Sequence, residues 1–307
     1  MSKRHMIKSK GILIKRTYLL PLFLTAWLTW GNSMVQKPDL TGVEIVTHRV
    51  RDNIYMLEAT KDVAGNMAVS IGADGILLVD SQFSELADSV LTALFRFHDA
   101  PIKYIINTHY HDDHSDGNTA LGKDATIIGS HNTRKRLSGR PESGKPTITF
   151  TGEMSIHFNG EEIKLISFPN GHTDTDIVVF FTKSNVVHMG DLFNAGITSF
   201  PNVDLGAGGT IMGAIEVLGK VIKMVPNDVK IIPGHYEISN REGLERCHRM
   251  LRETVAFVKE KKAAGWSLKQ IQKHGFPKVY EPWGKTGYSN TNAWIENIFK
   301  GIIERGE

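Results

Sequence analysis

Three histidines and an aspartate fall within six residues of one another, directly after an apolar strand-like run at residues 102–107. They are His109, His111, Asp113 and His114. Where a chain leaves a sheet, alternating side chains can turn toward one spot instead of being divided between two faces. Imidazole and carboxylate groups suit zinc, and suit copper or iron less well. The spacing therefore predicts a metal site at the end of this strand.

The same pattern of a polar residue at a strand end recurs elsewhere in the chain. One instance comes earlier and three come later, namely Asp80, Gly171-His172-Thr173, Gly190-Asp191 and Gly234-His235. Together with the first cluster, and in this order, they resemble the motifs of the metallo-β-lactamase superfamily. The resemblance spans residues 45–240, and it implies a metal-dependent hydrolase.

The resemblance also implies a role for each of these side chains. One zinc ion would be held by His109, His111 and His172. The second would be held by Asp113, His114 and His235, and Asp191 would bridge the pair. Asp80 resembles the family's early structural aspartate. The expected cofactor is two Zn²⁺ per chain, and iron or a mixed pair of metals is the alternative.

Such a donor set has a defined chemistry. Zinc lowers the pKa of a bound water from 15.7 to about 7, so a metal-bridging hydroxide can act as a nucleophile at neutral pH. The metals also stabilise the negative charge of the transition state. Asp113 is predicted to be catalytic as well, by orienting the hydroxide and passing a proton to the leaving group. No Gly-x-Ser-x-Gly motif is present, and the single cysteine, Cys247, has no activating neighbour.

The residue at position 191 separates branches of the family that the chain resembles. The antibiotic-hydrolysing branches commonly carry cysteine or serine there, so Asp191 favours the thioesterase, lactonase, sulfatase and phosphodiesterase branches. Only 43 residues separate Asp191 from His235, too few for the inserted domain of nucleic-acid-processing relatives. Two alternatives stay open: a true β-lactamase, and an oxidoreductase with a single iron, similar to the persulfide dioxygenases.

The elements that position these residues fall into two similar halves. Strand-like runs separated by turns are at 44–46, 54–57, 67–71 and 76–79, and again at 148–150, 155–158, 163–167, 177–181 and 186–188. Between them lie a helix at 84–98, the strand at 102–107, a short helix at 116–121, a strand at 126–128 and a helix at 131–137. Asn159-Gly160 predicts a tight hairpin. A glycine-rich segment, 195–213, then precedes a helix to 223, a strand at 229–232 and a helix at 240–264.

Two mixed sheets, each with helices on one side, can bury their free faces against each other. The pattern therefore predicts an α/β (α+β) fold, a four-layer αββα sandwich of the metallo-β-lactamase type. Loops at 62–66, 138–146 and 195–208 are predicted to lie over the metals and to set specificity. Three residues flank the first cluster as candidate supporting groups: Tyr110, Asp112 and Asp116.

Composition and charge limit which kinds of molecule the protein is expected to bind. Of 307 residues, 41% are apolar and 22% are charged, as in ordinary globular proteins. The formal net charge of +3 arises from residues 1–30, which hold six Lys and Arg and no acid, whereas the remaining 277 residues hold 30 basic and 33 acidic residues. This mildly acidic body lacks the clustered basic face that nucleic acid requires. The predicted partner is a small-molecule substrate, with no nucleic acid.

The N-terminus predicts export. Residues 18–30 form an apolar run of 13 residues after the basic segment. A membrane-spanning helix needs about 20 apolar residues, whereas the apolar core of a signal peptide needs about 7–15. We therefore predict a signal peptide or N-terminal anchor at 1–33 and a hydrolase domain at 40–307 that includes the C-terminal helices. The protein is then periplasmic or secreted, and only an uncleaved leader would touch a membrane.

Overall fold

Seven strands form the first sheet, in the order β1-β2-β3-β4-β5-β6-β7. Their bounds are Ile45–Arg51, Ile54–Ala59, Met67–Gly72, Gly75–Val79, Ile102–Ile106, Thr126–Ser130 and Ile148–Phe150. The first four strands form an antiparallel meander, and β4 to β7 run parallel. Parallel neighbours need crossover connections. Here these contain α1 (Ala87–Phe95), α2 (Asp112–Ser115), α3 (Asn118–Leu121) and α4 (His131–Arg136).

Six strands form the second sheet, in the order β13-β12-β11-β10-β9-β8. From β8 to β13 their bounds are Glu153–Phe158, Glu161–Ser167, Ile177–Phe181, Val186–His188, Lys230–Ile232 and Ser239–Asn240. Asn159 and Gly160 join β8 to β9 with φ of 50° and 78°, the left-handed values of a tight hairpin turn, so the predicted hairpin is confirmed. β11 and β12 run parallel, with α5 (Ile211–Met224) between them in the chain.

The two sheets pack face to face over a shared apolar core. Met56, Leu77 and Ile106 of the first sheet meet Leu165 and Phe181 of the second, and all five are at most 1% exposed. The outer face of the first sheet is covered by α1. The outer face of the second is covered by α5 and by three later helices, α6 (Arg241–Ala263), α7 (Leu268–His274) and α8 (Thr291–Arg305). The predicted four-layer αββα sandwich is confirmed.

The computed structural model describes residues 37–97, 99–196, 199–285 and 289–305. The chain from residue 39 onward belongs to one compact unit. The predicted leader at 1–33 lies outside the described residues, and the domain boundaries stay a prediction. None of the helices in the described part of the chain is long and apolar enough to cross a membrane.

One local prediction differs from the structure. The helix predicted at 116–121 is shorter, since α3 begins only at Asn118, and a separate helical turn that was not predicted, α2, precedes it at Asp112–Ser115. The chain passes very close to another loop here, since a Cβ at Gly117 would lie 2.1 Å from the carbonyl oxygen of Ser81. Asp113 and His114 lie on α2, a helical turn, rather than on extended chain.

Trp294 ties the C-terminal helix to the rest of the fold. Its side chain is fully buried and stacks on Phe200 with 6.1 Å between ring centroids, and its Nε1 donates to Thr254 Oγ1 at 3.1 Å. We expect Trp294→Ala to lower the free energy of unfolding by about 3–5 kcal/mol, because it leaves a large cavity. The measurement is chemical denaturation in excess chelator, so that metal binding does not contribute.

The matched control is Val279→Ala, because the Val279 side chain is 70% exposed. This change should alter the free energy of unfolding by no more than about 0.5 kcal/mol. If Trp294→Ala lowered the free energy of unfolding as little as Val279→Ala does, α8 would not be part of the cooperative core.

Candidate metal centre

The predicted ligands meet at one edge of the sandwich, where strands of both sheets end. Asp80 follows β4 and His109 follows the parallel neighbour β5, while Asp191 follows β11 and His235 follows its parallel neighbour β12. Parallel strands end at the same edge, so the residues that follow them are brought together. His172 comes from the loop between β9 and β10. Residues from five parts of the sequence thus converge on one site.

The first donor group contains His109, His111, His172 and Asp191. His111 Nδ1 lies 3.1 Å from His109 Nε2 and 3.0 Å from His172 Nε2. Three imidazole nitrogens at this separation can surround one ion at the zinc–nitrogen distance of about 2.0–2.1 Å. Asp191 Oδ2 lies 3.8 Å from His172 Nε2 and can complete the group.

The second donor group contains Asp113, His114 and His235. Asp113 Oδ2 lies 3.3 Å from His235 Nε2 and 3.5 Å from His114 Nε2. Asp191 Oδ1 lies 3.3 Å from His114 Nε2 and 3.4 Å from His235 Nε2. One oxygen of Asp191 therefore faces each group, which is the geometry of a bridging carboxylate.

The outer ring nitrogens of four of these histidines, His109, His111, His114 and His172, are hydrogen-bonded away from the centre. His114 Nδ1 donates to Asp80 Oδ2 at 2.8 Å, and His109 Nδ1 lies 3.1 Å from Thr108 Oγ1, which itself donates to Asp80. A ring nitrogen that donates outward leaves a lone pair on the inner nitrogen. The outer ring nitrogens of His111 and His172 are also hydrogen-bonded outside the centre. Their outer nitrogens lie 3.1 Å from Asp204 Oδ2 and 2.6 Å from the Asn202 carbonyl, respectively.

Charge distinguishes the two donor groups. In the first, burial lowers the pKa of His172 to about 4, and burial together with the neighbouring imidazoles lowers that of His109 well below its usual range. In the second, burial opposes protonation, but the carboxylates outweigh it. They raise the pKa of His114 well above its usual range and that of His235 to about 9. Without metal, protons there occupy the place that a divalent cation can take.

The residues present fit a pair of metal ions. His114 Nε2 and Asp191 Oδ1 are both buried, and neither has a hydrogen bond of good geometry among the described residues. Buried polar atoms normally have a partner. A cation bound between His114 Nε2 and Asp191 Oδ1 would supply one for both atoms. Backbone also closes tightly on the site: a Cβ at Gly65 would lie 2.3 Å from His114 Cε1, and one at Gly234 would lie 2.0 Å from Asp191 Oδ1. Five imidazoles and two carboxylates are the donor types that zinc prefers.

Some supporting residues were not predicted from the sequence. Asp204 lies in the loop expected to set specificity, yet it holds His111. Asn66 joins the two halves, since its backbone N–H donates to the Gly234 carbonyl at 2.7 Å and its side-chain amide donates to the Pro233 carbonyl at 3.1 Å. Asp176 accepts hydrogen bonds from the Thr173 backbone N–H with both oxygens. Of these contacts, only the one between Thr173 and Asp176 has a signal in the local sequence, because a threonine stands three residues before an aspartate.

The candidate flanking residues differ in their contacts. The Tyr110 hydroxyl donates to Asp204 Oδ2 at 3.3 Å, so it contacts a supporting group of the first donor set. Asp112 and Asp116 instead both pair with Arg140. Arg140 therefore ties the predicted 138–146 loop to α2, the helical turn that carries two ligands.

Comparison with known proteins identifies the family. The sequence model of the metallo-beta-lactamase superfamily matches residues 61–235, a range that contains all seven predicted ligands. The chain belongs to the metallo-β-lactamase superfamily. The resemblance seen in the sequence motifs is thereby confirmed.

Named relatives within the family differ in their activities. A metallo-beta-lactamase type 2 from Elizabethkingia meningoseptica is 22% identical over 241 residues, which is 76% of this chain and 93% of that relative. A hydroxyacylglutathione hydrolase from Polaromonas sp. is 28% identical over 177 residues, 56% of this chain and 60% of that relative.

Solved structures support the fold. A metallo-beta-lactamase from Pontibacter korlensis matches with a TM-score of 0.60 at 17% identity, covering 68% of this chain and 99% of that one. A sec-alkyl sulfatase double mutant matches with a TM-score of 0.69 at 11% identity, covering 83% of this chain and 50% of that one. At these identities the likeness shows a shared fold and leaves the substrate open.

Asp80 offers a test of the metal centre that leaves every predicted ligand in place. Asp80 has a φ of 68°, which asparagine also tolerates, so Asp80→Asn preserves the backbone. The variant loses a carboxylate oxygen that accepts from His114 or Thr108. We expect the zinc affinity of one equivalent to fall by roughly 10–100-fold, measured by competition with a chromophoric chelator.

Asp88→Asn is the control, because it makes the same change at an exposed position on α1. It should bind zinc like the unmodified chain. Unaltered zinc binding by Asp80→Asn would contradict a role of Asp80 in orienting His114.

Proposed function

We propose that this protein is a hydrolase that uses two Zn²⁺ ions to cleave an ester-like or amide-like bond in a small molecule. The observation that supports this proposal is the pair of adjoining donor groups with one oxygen of Asp191 facing each. His109, His111 and His172 would hold one ion, and Asp113, His114 and His235 the other. When bound, the metals would supply an activated water at neutral pH and would stabilise negative charge on the substrate oxygen.

Differences in exposure indicate the side from which substrate approaches. The side chains of His114, His172 and His235 are at most 3% exposed, whereas His111 and Asp113 are 24% and 21% exposed. Solvent therefore reaches the centre over His111 and Asp113. A substrate on this side meets ligands of both donor groups.

Asp113 is the residue that we propose to move a proton. Its carboxylate is a ligand through Oδ2 and lies on the solvent side of the centre. The neighbouring charges of His114 and His235 lower its pKa against the effect of burial, so it is ionised at neutral pH. An ionised carboxylate there can accept the proton of an attacking water and donate it to the leaving group.

The leaving-group chemistry that we favour is that of esters, lactones and thioesters. A relative named as a hydroxyacylglutathione hydrolase supports this class, and so does aspartate rather than cysteine or serine at position 191. A true β-lactamase is the second candidate, because a relative of that name is aligned over 93% of its length. An oxidoreductase with one iron is the third. Export through residues 1–33 remains part of the proposal and rests on their sequence.

Metal analysis tests the first step of the proposal. We expect the purified protein, loaded with zinc and dialysed, to hold about two zinc ions per chain. Asp191→Ala should weaken binding of both equivalents, and by more than the roughly 10–100-fold that loss of an outer partner causes. Asp88→Asn is again the control. Less than one zinc per chain, or a single iron after expression in balanced metals, would contradict a dinuclear zinc enzyme.

Kinetics on a panel of small substrates tests the reaction. The panel contains an aryl ester, a lactone, a thioester and the β-lactams nitrocefin and a carbapenem. Asp113→Asn, which keeps the shape of the side chain, should lower kcat by roughly 10²–10⁴-fold on any substrate that is cleaved. Turnover of β-lactams alone would favour the second candidate, and full activity of Asp113→Asn would exclude the proposed role of Asp113.

A further inference from the structure

The loop before α5 carries two of the groups that orient metal-ligand histidines. The Asn202 carbonyl accepts a hydrogen bond from His172 Nδ1 at 2.6 Å, and Asp204 Oδ2 lies 3.1 Å from His111 Nε2. Val203 lies between these residues in the sequence. Two of the three outer partners in the first donor group thus come from a three-residue stretch, and its backbone conformation sets their positions.

The opposite side of this stretch faces the C-terminal helix. Asn297 Nδ2 on α8 donates to the Val203 carbonyl at 3.0 Å. Beside this contact an open cleft of about 620 Å³ lies between residues 202–206 and α8. Its helix side is lined by Ala293, Glu296, Asn297 and Lys300. Val203 itself packs with Ile298 of α8 in the apolar core, and the amide of Asn297 thus adds a polar contact beside that packing.

The peptide unit between Val203 and Asp204 is held at both ends. Its carbonyl accepts from Asn297 and also from the Leu205 N–H at 3.0 Å, and its N–H donates to the His172 carbonyl at 2.9 Å. Because a peptide unit is planar, fixing both groups fixes the rotation of the whole unit. The orientation of the Asp204 side chain, and hence of the His111 ring, depends on that rotation.

We propose that Asn297 is a positioning residue that sets the metal affinity of the three-histidine donor group. This inference rests on the proposed function, since it requires that the group binds metal. Asn297 lies far along the chain from every ligand and contacts none of them in the described structure. It acts through Val203 and Asp204, and it leaves the group formed by Asp113, His114 and His235 unaffected.

The test compares zinc binding by the full chain and by Asn297→Ala, using chelator competition that resolves the two equivalents. Asn292→Ala, at an exposed residue of the same helix, is the matched control. We expect Asn297→Ala to weaken one equivalent by roughly threefold to tenfold, less than direct loss of an outer partner, and to leave the other unchanged. The same weakening in a His235→Ala background, where the three histidines remain, assigns the effect to their group.

A double-mutant cycle with Asp204→Ala separates positioning from general destabilisation. If Asn297 acts through Asp204, then Asn297→Ala should weaken zinc binding little further in a chain that already carries Asp204→Ala. Additive effects, or equal weakening of both equivalents, would overturn the inference. Asn297→Asp, which places a carboxylate oxygen against the Val203 carbonyl, replaces Asn297→Ala if that variant does not fold, with the same expectation.

The outcomes distinguish this inference from the proposed function. Two zinc equivalents in the unmodified chain, with Asn297→Ala indistinguishable from it, would overturn the inference alone. Less than one equivalent in the unmodified chain would overturn the proposed function, and the inference with it.

Discussion

A histidine binds a metal ion only through a ring nitrogen that carries no proton, and the centre of this protein depends on that constraint. The proton must be kept on the opposite nitrogen by an acceptor outside the site. For four of the five histidines the acceptors are a carboxylate for His114, a carbonyl for His172, a carboxylate for His111 and a hydroxyl for His109. The inner nitrogens consequently point at common positions before any ion arrives.

The fold meets this constraint by placing the ligands and their acceptors on different elements. Asp80 follows β4 and fixes ligands that follow β5, so parallel neighbours in one sheet supply both partners of a contact. Contacts between loops then join the two halves. Asn66 binds backbone around His235, and the Ile177 N–H at the start of β10 donates to the Thr108 carbonyl at 2.7 Å. The candidate metal centre thus lies where hydrogen bonds between loops hold the two sheets together.

The two donor groups differ in how they avoid burying an unpaired charge. Burying unpaired charge is costly, and the structure avoids that cost differently in each group. In the first, burial keeps His109 and His172 neutral, whereas in the second the carboxylates keep His114 and His235 charged when no metal is bound. Asp191 lies between the groups and contributes to both. Substitutions at this position should therefore affect both donor groups, whereas Asn202 and Asp204 contact histidines of the first group alone.

The sequence by itself predicted the seven residues that the structure brings together as candidate donors, the strands that precede most of them, the hairpin at Asn159-Gly160 and the four-layer sandwich. These features have local signals, because spacing, alternation and turn residues lie within short windows. Tertiary structure alone decided which groups hold the ligands in place. Asn66 contacts Pro233 across 167 positions, and Asp204 contacts His111 across 93. Asn202 and Val203 act through backbone carbonyls, which every residue possesses. No residue type marks such contacts in advance, since they exist only after packing has brought distant segments within hydrogen-bond distance.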